Sequence, residues 1–467
     1  MEAKKIADIK RIYFIGIGGI GMSAVARYFH SKGIRVSGYD KTETPLTKAL
    51  VAEGIPVHYE DAVEQAPKDA DWVVYTPAVP KEHTELNFYK ENGYPVMKRS
   101  DVLQQITESS FNICVAGTHG KTTTTTMIAH LLRDSGYGCN AFLGGIAANY
   151  DTNFWSDAND VCVIEADEYD RSFLKLSPDI AVVTAIDPDH LDIYGTEENV
   201  RKAFAEFAQR LKPGGLLIRK LGIGKELSAA RIWQYSLQNN SANAYAANIE
   251  IKGGGYVFDA VLPTQLIEGV QLHMGGMHNI ENMIAAITVA SSLNIDKDKI
   301  KKAVASFKGV KRRFEYIIPP DPEDGNGLVF IDDYAHHPEE LRALINGVKT
   351  LFPTRKCTLI FQPHLYSRTK DFALEFAAVL SLVDKVILLP IYPAREQPIP
   401  GIESNIIAEK MEGGDPVIMT KDELLHWVGN DFLKEGNKEL GDVIITAGAG
   451  DVDKLVGVIK NSLEKIK

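Results

Sequence analysis

Short apolar runs alternate with amphipathic stretches along most of the chain. RIYFIG at 11–16 reads as a buried strand, 21–31 as a helix, IRVSGYD at 34–40 as the next strand and DWVVYT at 71–76 as another, closed by a turn at 77–80. A second block opens with FNICVAG at 111–117, runs through a helix from Lys121, and continues with strands DVCVIE at 160–165 and DIAVVTAI at 179–186. Between about 242 and 272 the rhythm changes to alternating residues (IEIKGGGYVFDAVLP), which predicts a small antiparallel patch, followed by helices at 278–293 and 297–307. In a third block, 328–332, 357–361, 385–389, 416–419 and 443–447 read as strands separated by helices. Strand–helix alternation of this kind predicts an α/β fold with parallel, doubly wound sheets. Boundaries near 107–110 and 311–314 divide the chain into 1–108, 109–312 and 313–467.

Composition fits that picture. A length of 467 residues gives about three domains as a prior, and 45% hydrophobic with 24% charged residues excludes a mostly disordered chain. Lys+Arg 51 against Asp+Glu 62 leaves a net charge of −11, so no nucleic-acid partner is expected, although backbone geometry can still bind small anions. The cysteines Cys114, Cys139, Cys162 and Cys357 form no C-x-x-C pair and support neither a zinc site nor a disulfide framework. No stretch approaches a membrane span and the first residues lack an apolar leader, so no membrane insertion and a cytoplasmic location are expected.

The candidate chemistry stands where strands end. Gly16, Gly18, Gly19 and Gly21 follow the first strand and open a helix, a geometry that lets a phosphate approach backbone N–H groups. Asp40 ends the next strand, as a ribose-binding acid would. That pair suggests NAD, but any diphosphate-bearing nucleotide can use the same turn. Gly117-Thr118-His119-Gly120-Lys121-Thr122-Thr123 follows a strand and opens a helix in the manner of a P-loop, with Lys121 for phosphate charge and Thr122 for Mg²⁺. It departs from the common pattern, whose first glycine would fall on Val115. Glu165, Asp167, Glu168 and Asp170 gather at the end of a very apolar strand, where Glu165 can hold the Mg²⁺ that bridges ATP phosphates. His190 lies among Asp187, Asp189 and Asp192 after the following strand and suits a second metal ion. Asn279 opens a helix after Gly275-Gly276, where an adenine contact competes with a plain N-cap. Arg313 sits at the last boundary, and Asp333, His336, His337, His364 and Arg368 mark a third sheet edge.

Taken together and in this order, GIGGIGMS, GTHGKTTTT, EADEYDRSF, DHLDIY, GMHNIENM, RRFE, DDYAHHP, FQPHLYSRT and YPAREQPIPG resemble the ATP-dependent ligases that build the peptide of bacterial cell-wall precursors. The resemblance covers the chain from about residue 11 to about 455 and is strongest with the alanine-adding branch. It implies a Rossmann-like N-terminal domain for a UDP-sugar, a central P-loop ATPase domain and a Rossmann-like C-terminal domain for the amino acid. The implied substrates are ATP, UDP-N-acetylmuramate and L-alanine, the implied ion is Mg²⁺, and the expected state is a monomer or weak homodimer. The first glycine loop would then cradle the UDP diphosphate, with Asp40 beside it. By the same resemblance Lys121, His190 and Arg313 are catalytic, and Thr122, Glu165 and His190 are metal ligands. Gly117 to Thr123, Asn279, Arg313, Asp333 and His337 hold ATP, while His336, His364 and Arg368 face the amino acid and the acyl phosphate. A carbamoylated lysine found in several relatives would fall near Ala205, so none is expected here. Leu365 stands where many alanine-adding ligases carry arginine. Three rivals remain: a ligase that reattaches a recycled tripeptide to the same sugar nucleotide, an NAD-dependent oxidoreductase, and a nonenzymatic nucleotide-binding switch, which leaves the acids and histidines at the sheet edges unexplained.

Overall fold

The computed structural model describes residues 6–188, 191–321, 327–394, 396–432 and 441–465. The first sheet is built from β1 (Arg11–Ile15), β2 (Arg35–Tyr39), β3 (Val57–His58), β4 (Trp72–Tyr75) and β5 (Val96–Lys98). All its pairings are parallel and the order is β3-β2-β1-β4-β5. Chain order therefore reverses between β1 and β4, and ligands of open parallel sheets bind beyond the strand ends at such a reversal.

The second sheet holds β6 (Phe111–Ala116), β7 (Asn140–Ala147), β8 (Thr152–Trp155), β9 (Val161–Glu165), β10 (Ile180–Val183), β11 (Leu216–Lys220) and β12 (Arg231–Ser236). They run β12-β11-β10-β6-β9-β7-β8, so the strand that feeds the P-loop lies between β9 and β10. Only the β7–β8 hairpin in this stretch is antiparallel. β13 (Ala244–Lys252) joins β12 in parallel, and β14 (Gly255–Val261) and β15 (Leu266–Leu272) follow it. A two-glycine turn, Gly253-Gly254, connects β13 to its neighbour β14, and so short a link requires antiparallel strands. The third sheet contains β16 (Glu315–Ile318), β17 (Val329–Asp333), β18 (Cys357–Phe361), β19 (Lys385–Leu388), β20 (Pro416–Ile418) and β21 (Val443–Ala447), in the order β16-β17-β21-β18-β19-β20. It is parallel except at β16.

By compactness the chain forms two units. One comprises Met1–Tyr245, Ala260–Ile267 and Glu281–Ala303, the other Ala246–Asp259, Glu268–Ile280 and Val304–Lys467. The first two sheets share a unit because they share a core. Ile12, Phe14, Val25 and Phe29 pack in one cluster with Cys114, Phe142, Ile164 and Phe204. A buried polar junction locks the helix Ile20–Ser31 to the β7–β8 hairpin. The Arg27 guanidinium donates to Asn153 Oδ1 and, at 2.6 and 2.7 Å, to Glu53. The Asn153 amide in turn donates to the Ser23 hydroxyl at 3.0 Å and the Ile20 carbonyl at 2.5 Å.

Candidate active site

β6 ends at Ala116 and the chain turns through Gly117 (φ +145°) and Gly120 (φ +80°) before the helix Lys121–Asp134 begins. Both angles favour glycine, and a Cβ on Gly117 would overlap the Thr184 hydroxyl. Thr184 caps the turn by donating to Ala116 O at 3.2 Å and His119 O at 2.5 Å. Thr118 exchanges hydrogen bonds with Asp187, each at 3.1 Å, and His119 Nε2 lies 3.7 Å from the same carboxylate. The missing first glycine of the common P-loop pattern has a physical reason. Val115 is still inside β6, fully buried and paired with Glu165 of β9.

That pairing sets the chemistry at the sheet edge. Glu165 is the last residue of β9, and its carboxylate accepts the Thr122 hydroxyl at 3.0 Å and the Gly144 N–H at 3.1 Å. Lys121 Nζ donates at 2.7 Å to both Gly117 O and Glu168 Oε1. Glu168 is only 1% exposed, and burial pushes its carboxyl up while the Lys121 ammonium opposes the rise. Glu168 stood in the acidic run that the sequence flagged, but nothing there singled it out as the partner of Lys121. Asn282 was not anticipated; its amide stands 3.1 Å from where a Gly120 Cβ would be. His190 lies outside the described residues.

The first glycine loop contacts Asp40, whose Oδ2 accepts the Gly18 N–H at 2.8 Å while Oδ1 takes Thr42 N–H at 3.2 Å. A cavity of about 270 Å³ opens beside this loop. Gly19 and Gly21 after β1, Thr76 after β4 and Arg99 after β5 line it at the reversal of strand order, together with Gly144, Glu165 and Asp167. One hollow thus joins the first glycine loop to the acid next to the P-loop. Arg99 was not foreseen from the sequence.

In the second unit Arg313 sits between two residues with left-handed backbone, Arg312 (φ +62°) and Phe314 (φ +48°), and is exposed. Asp333 braces this bend. Its two oxygens accept Phe314 N–H and Ala335 N–H, both at 2.7 Å, and burial raises its carboxyl to about 6. Asn279 is buried and its amide donates to Gly275 O at 2.7 Å. His336 and His364 face each other at 5.9 Å, and burial lowers both, which leaves them neutral at pH 7. Arg368 Nη1 lies 3.5 Å from His364 Nδ1. His337 precedes the helix Pro338–Leu351 and packs on Phe372 at 4.7 Å. His336, His364 and Arg368 are thus together, with His337 on the adjoining helix start. Leu365 adopts φ +71°, an unusual angle for a branched residue.

Hard oxygens from Thr122 and Glu165 at 3.0 Å suit Mg²⁺, which binds through one or two carboxylates plus phosphates and water. Among the described residues no cluster of three or more His, Cys, Asp or Glu side chains forms a dedicated metal cage, and no helix is long and apolar enough to cross a membrane.

Three family models match the chain. They are described as Mur ligase family, catalytic domain (residues 11–110), Mur ligase middle domain (115–290) and Mur ligase, glutamate ligase domain (312–450). The UDP-N-acetylmuramate–L-alanine ligase of Porphyromonas gingivalis is 46% identical over 98% of this chain and 100% of its own length. That of Parabacteroides distasonis is 48% identical over 98% of both. Among solved structures, the UDP-N-acetylmuramate–alanine ligase of Thermotoga maritima aligns with a TM-score of 0.78 at 28% identity, covering 98% of this chain and 100% of that one. A murein peptide ligase from Psychrobacter arcticus aligns with a TM-score of 0.63 at 22% identity, covering 97% and 99%, and so shares the fold. With three successive models matched and full-length relatives at this identity, the chain belongs to the Mur ligase family.

Proposed function

We infer that this protein joins L-alanine to the lactyl carboxylate of UDP-N-acetylmuramate, with conversion of ATP to ADP and phosphate, in the synthesis of the peptidoglycan precursor. The observation that carries this reading is the cavity running from the first glycine loop to Glu165, whose carboxylate accepts the hydroxyl of Thr122 in the second glycine turn. The part of a sugar nucleotide that runs from its diphosphate through the sugar to a carboxylate matches such a hollow. Full-length relatives at 46% and 48% identity carry the same activity in their names.

The lactyl carboxylate oxygen attacks the γ-phosphorus of ATP, and ADP leaves. The resulting acyl phosphate presents an activated carbonyl to the alanine amine. The amine attacks that carbon, loses a proton, and inorganic phosphate departs with the former P–O–C bond broken at carbon. Catalysis of this kind is mostly positioning and charge neutralisation. The turn Gly117 to Thr123 cradles the phosphates, with Lys121 as the cation that moves from Glu168 to phosphate oxygens. Thr122 and Glu165 would hold Mg²⁺, which would neutralise phosphate charge; His190 is assigned to a second ion. Arg313, which is exposed, is assigned to the γ-phosphate. Asn279, Asp333 and His337 serve the nucleotide side. For Asp333 and Asn279 the bonds already made favour bracing the backbone around the nucleotide. His336, His364 and Arg368 take the amino-acid side, where Arg368 supplies a cation for the alanine carboxylate. The protein works as a monomer or weak homodimer in the cytoplasm.

The test is release of ADP and phosphate with UDP-N-acetylmuramate, with and without L-alanine. Turnover that needs both is expected. Turnover that needs a tripeptide in place of alanine, or a hydride transfer with NAD, overturns the assignment.

A further inference from the structure

We propose that Arg99 is the cation that grips the diphosphate of the sugar nucleotide, and that Asp167 holds this guanidinium in reserve until the ligand displaces it. The proposal rests on the reading of the cavity as the sugar-nucleotide site and names a residue pair within it.

Arg99 opens the helix Arg99–Ser109 directly after β5 and enters the cavity beside the sheet's reversal point. Its guanidinium lies over Gly21 so closely that a Cβ there would overlap it. The absence of a side chain at Gly21 is therefore what admits Arg99 to the loop. Among the described residues the ion-pair partner of this cation is Asp167, with Nη2 to Oδ2 at 3.7 Å. That separation exceeds a hydrogen bond, and both side chains are partly solvated, at 29% and 45% exposed. A loose, wet pair of this kind is worth little. A diphosphate offers two or more negative oxygens in the planar spacing that a guanidinium matches bidentately. Exchange of Asp167 for a diphosphate thus trades a weak contact for a strong one at small cost. The base of Arg99 is fixed independently. Asp101 accepts the Lys98 N–H at 2.8 Å and also binds the Lys175 ammonium of the following domain. Arg99 consequently swings from a rigid platform, and Asp167 adjoins Glu165 across the same hollow.

The two variants have opposite expected effects, which a merely structural pair cannot produce. Arg99→Ala removes the grip and weakens binding about ten- to a hundredfold, the range for a charge-assisted bond. Asp167→Asn removes the competitor and tightens binding by about two- to fivefold, the range for an exposed ion pair. Calorimetry on the full chain with UDP, with UDP-N-acetylglucosamine and with UDP-N-acetylmuramate separates the diphosphate from the lactyl carboxylate. Equal losses with all three ligands in Arg99→Ala, a partial recovery in Arg99→Lys, and tighter binding in Asp167→Asn are expected. A loss confined to UDP-N-acetylmuramate transfers Arg99 to the carboxylate and overturns the proposal, as does unchanged binding in a folded Arg99→Ala protein. Weaker binding in Asp167→Asn overturns the reserve role. If the wild-type protein binds none of the three ligands, the reading of the cavity itself fails, and that result is distinct from any variant effect.

Discussion

Replacing Lys121 by methionine removes the ammonium that faces Glu168 while keeping most of the side-chain volume. In the wild type this pair is well enclosed, with Lys121 16% and Glu168 1% exposed, so solvent screens it little. Burial already holds the Glu168 carboxyl above its ordinary 4.5, and Lys121 supplies the opposing charge and hydrogen bond. Without the lysine the folded protein has one inexpensive escape, which is to keep Glu168 protonated. At pH 7 that costs about two and a half pH units' worth of proton uptake, and at about 1.4 kcal/mol per unit the ceiling is about 3.5 kcal/mol. The sign follows from proton counting. Above pH 4.5 the unfolded chain releases this proton while the folded variant retains it, so the variant's stability falls as pH rises. The deficit against wild type is therefore about 2–3 kcal/mol near neutrality and shrinks toward pH 5. Urea unfolding at several values between about pH 5 and about pH 7.5 measures it. Adding Glu168→Gln recovers most of the loss, while ligation remains absent in both variants because the phosphate-facing cation is gone. A deficit below about 0.5 kcal/mol, or one that does not change with pH, refutes the buried-pair argument. Wild-type turnover in Lys121→Met refutes the P-loop role itself.

The other expectations concern the metal acid, the amino-acid side and the bend before the third sheet. Glu165→Gln keeps the shape that receives Thr122 and Gly144 but removes a charge, so the Mg²⁺ concentration for half-maximal rate rises about tenfold or more; an unchanged Mg²⁺ titration assigns Glu165 to structure. Arg368→Ala raises the alanine KM by about ten- to a hundredfold with the ATP KM little changed, since a charge-assisted bond to a carboxylate is worth about 1.5–3 kcal/mol; unaltered alanine kinetics in a folded protein leaves Arg368 a helix residue only. Gly275→Ala drives a methyl into the Phe314 ring, whose backbone N–H is tied to Asp333, and costs about 1–3 kcal/mol by overpacking; a loss under about 0.5 kcal/mol in urea titration shows that the ring gives way.

Strands with continuous apolar runs were legible because buried parallel strands need no polar alternation. β6, β18 and β21 fall within a residue of where the hydrophobic pattern puts them. Two-residue β3 and three-residue β5 were not legible, since elements that short carry no periodicity and form by pairing with β2 and β4. The β7–β8 hairpin and β16 escaped for a related reason: pairing on the edge of an existing sheet, rather than local pattern, makes them strands. The shared core of the first two sheets was also hidden. Arg27 and Asn153 lie 126 residues apart, and neither residue type advertises a buried junction.

The site follows the same division between what a strand end announces and what a partner decides. Lys121, Thr122 and Glu165 were readable because each is fixed by its distance from a strand terminus, and the register of β6 against β9 then brings Glu165 to Thr122. Asp40 shows the limit of that logic. An acid at the end of the second strand suggests a dinucleotide ribose contact, yet here one oxygen is engaged by Gly18 N–H and the other by Thr42 N–H. The carboxylate thus spends hydrogen-bonding capacity on shaping the glycine loop, and the cation needed for a diphosphate comes from the far side, on Arg99 after β5. An NAD site places its acid free for a ribose and relies on the helix N-terminus for phosphate. A loop braced by its own acid and faced by an arginine instead favours a nucleotide whose diphosphate, more than its first ribose, is held at this point. The glycine spacing alone could not separate these two cases, because both need the same turn; the partners of Asp40 and Gly21 favour the second.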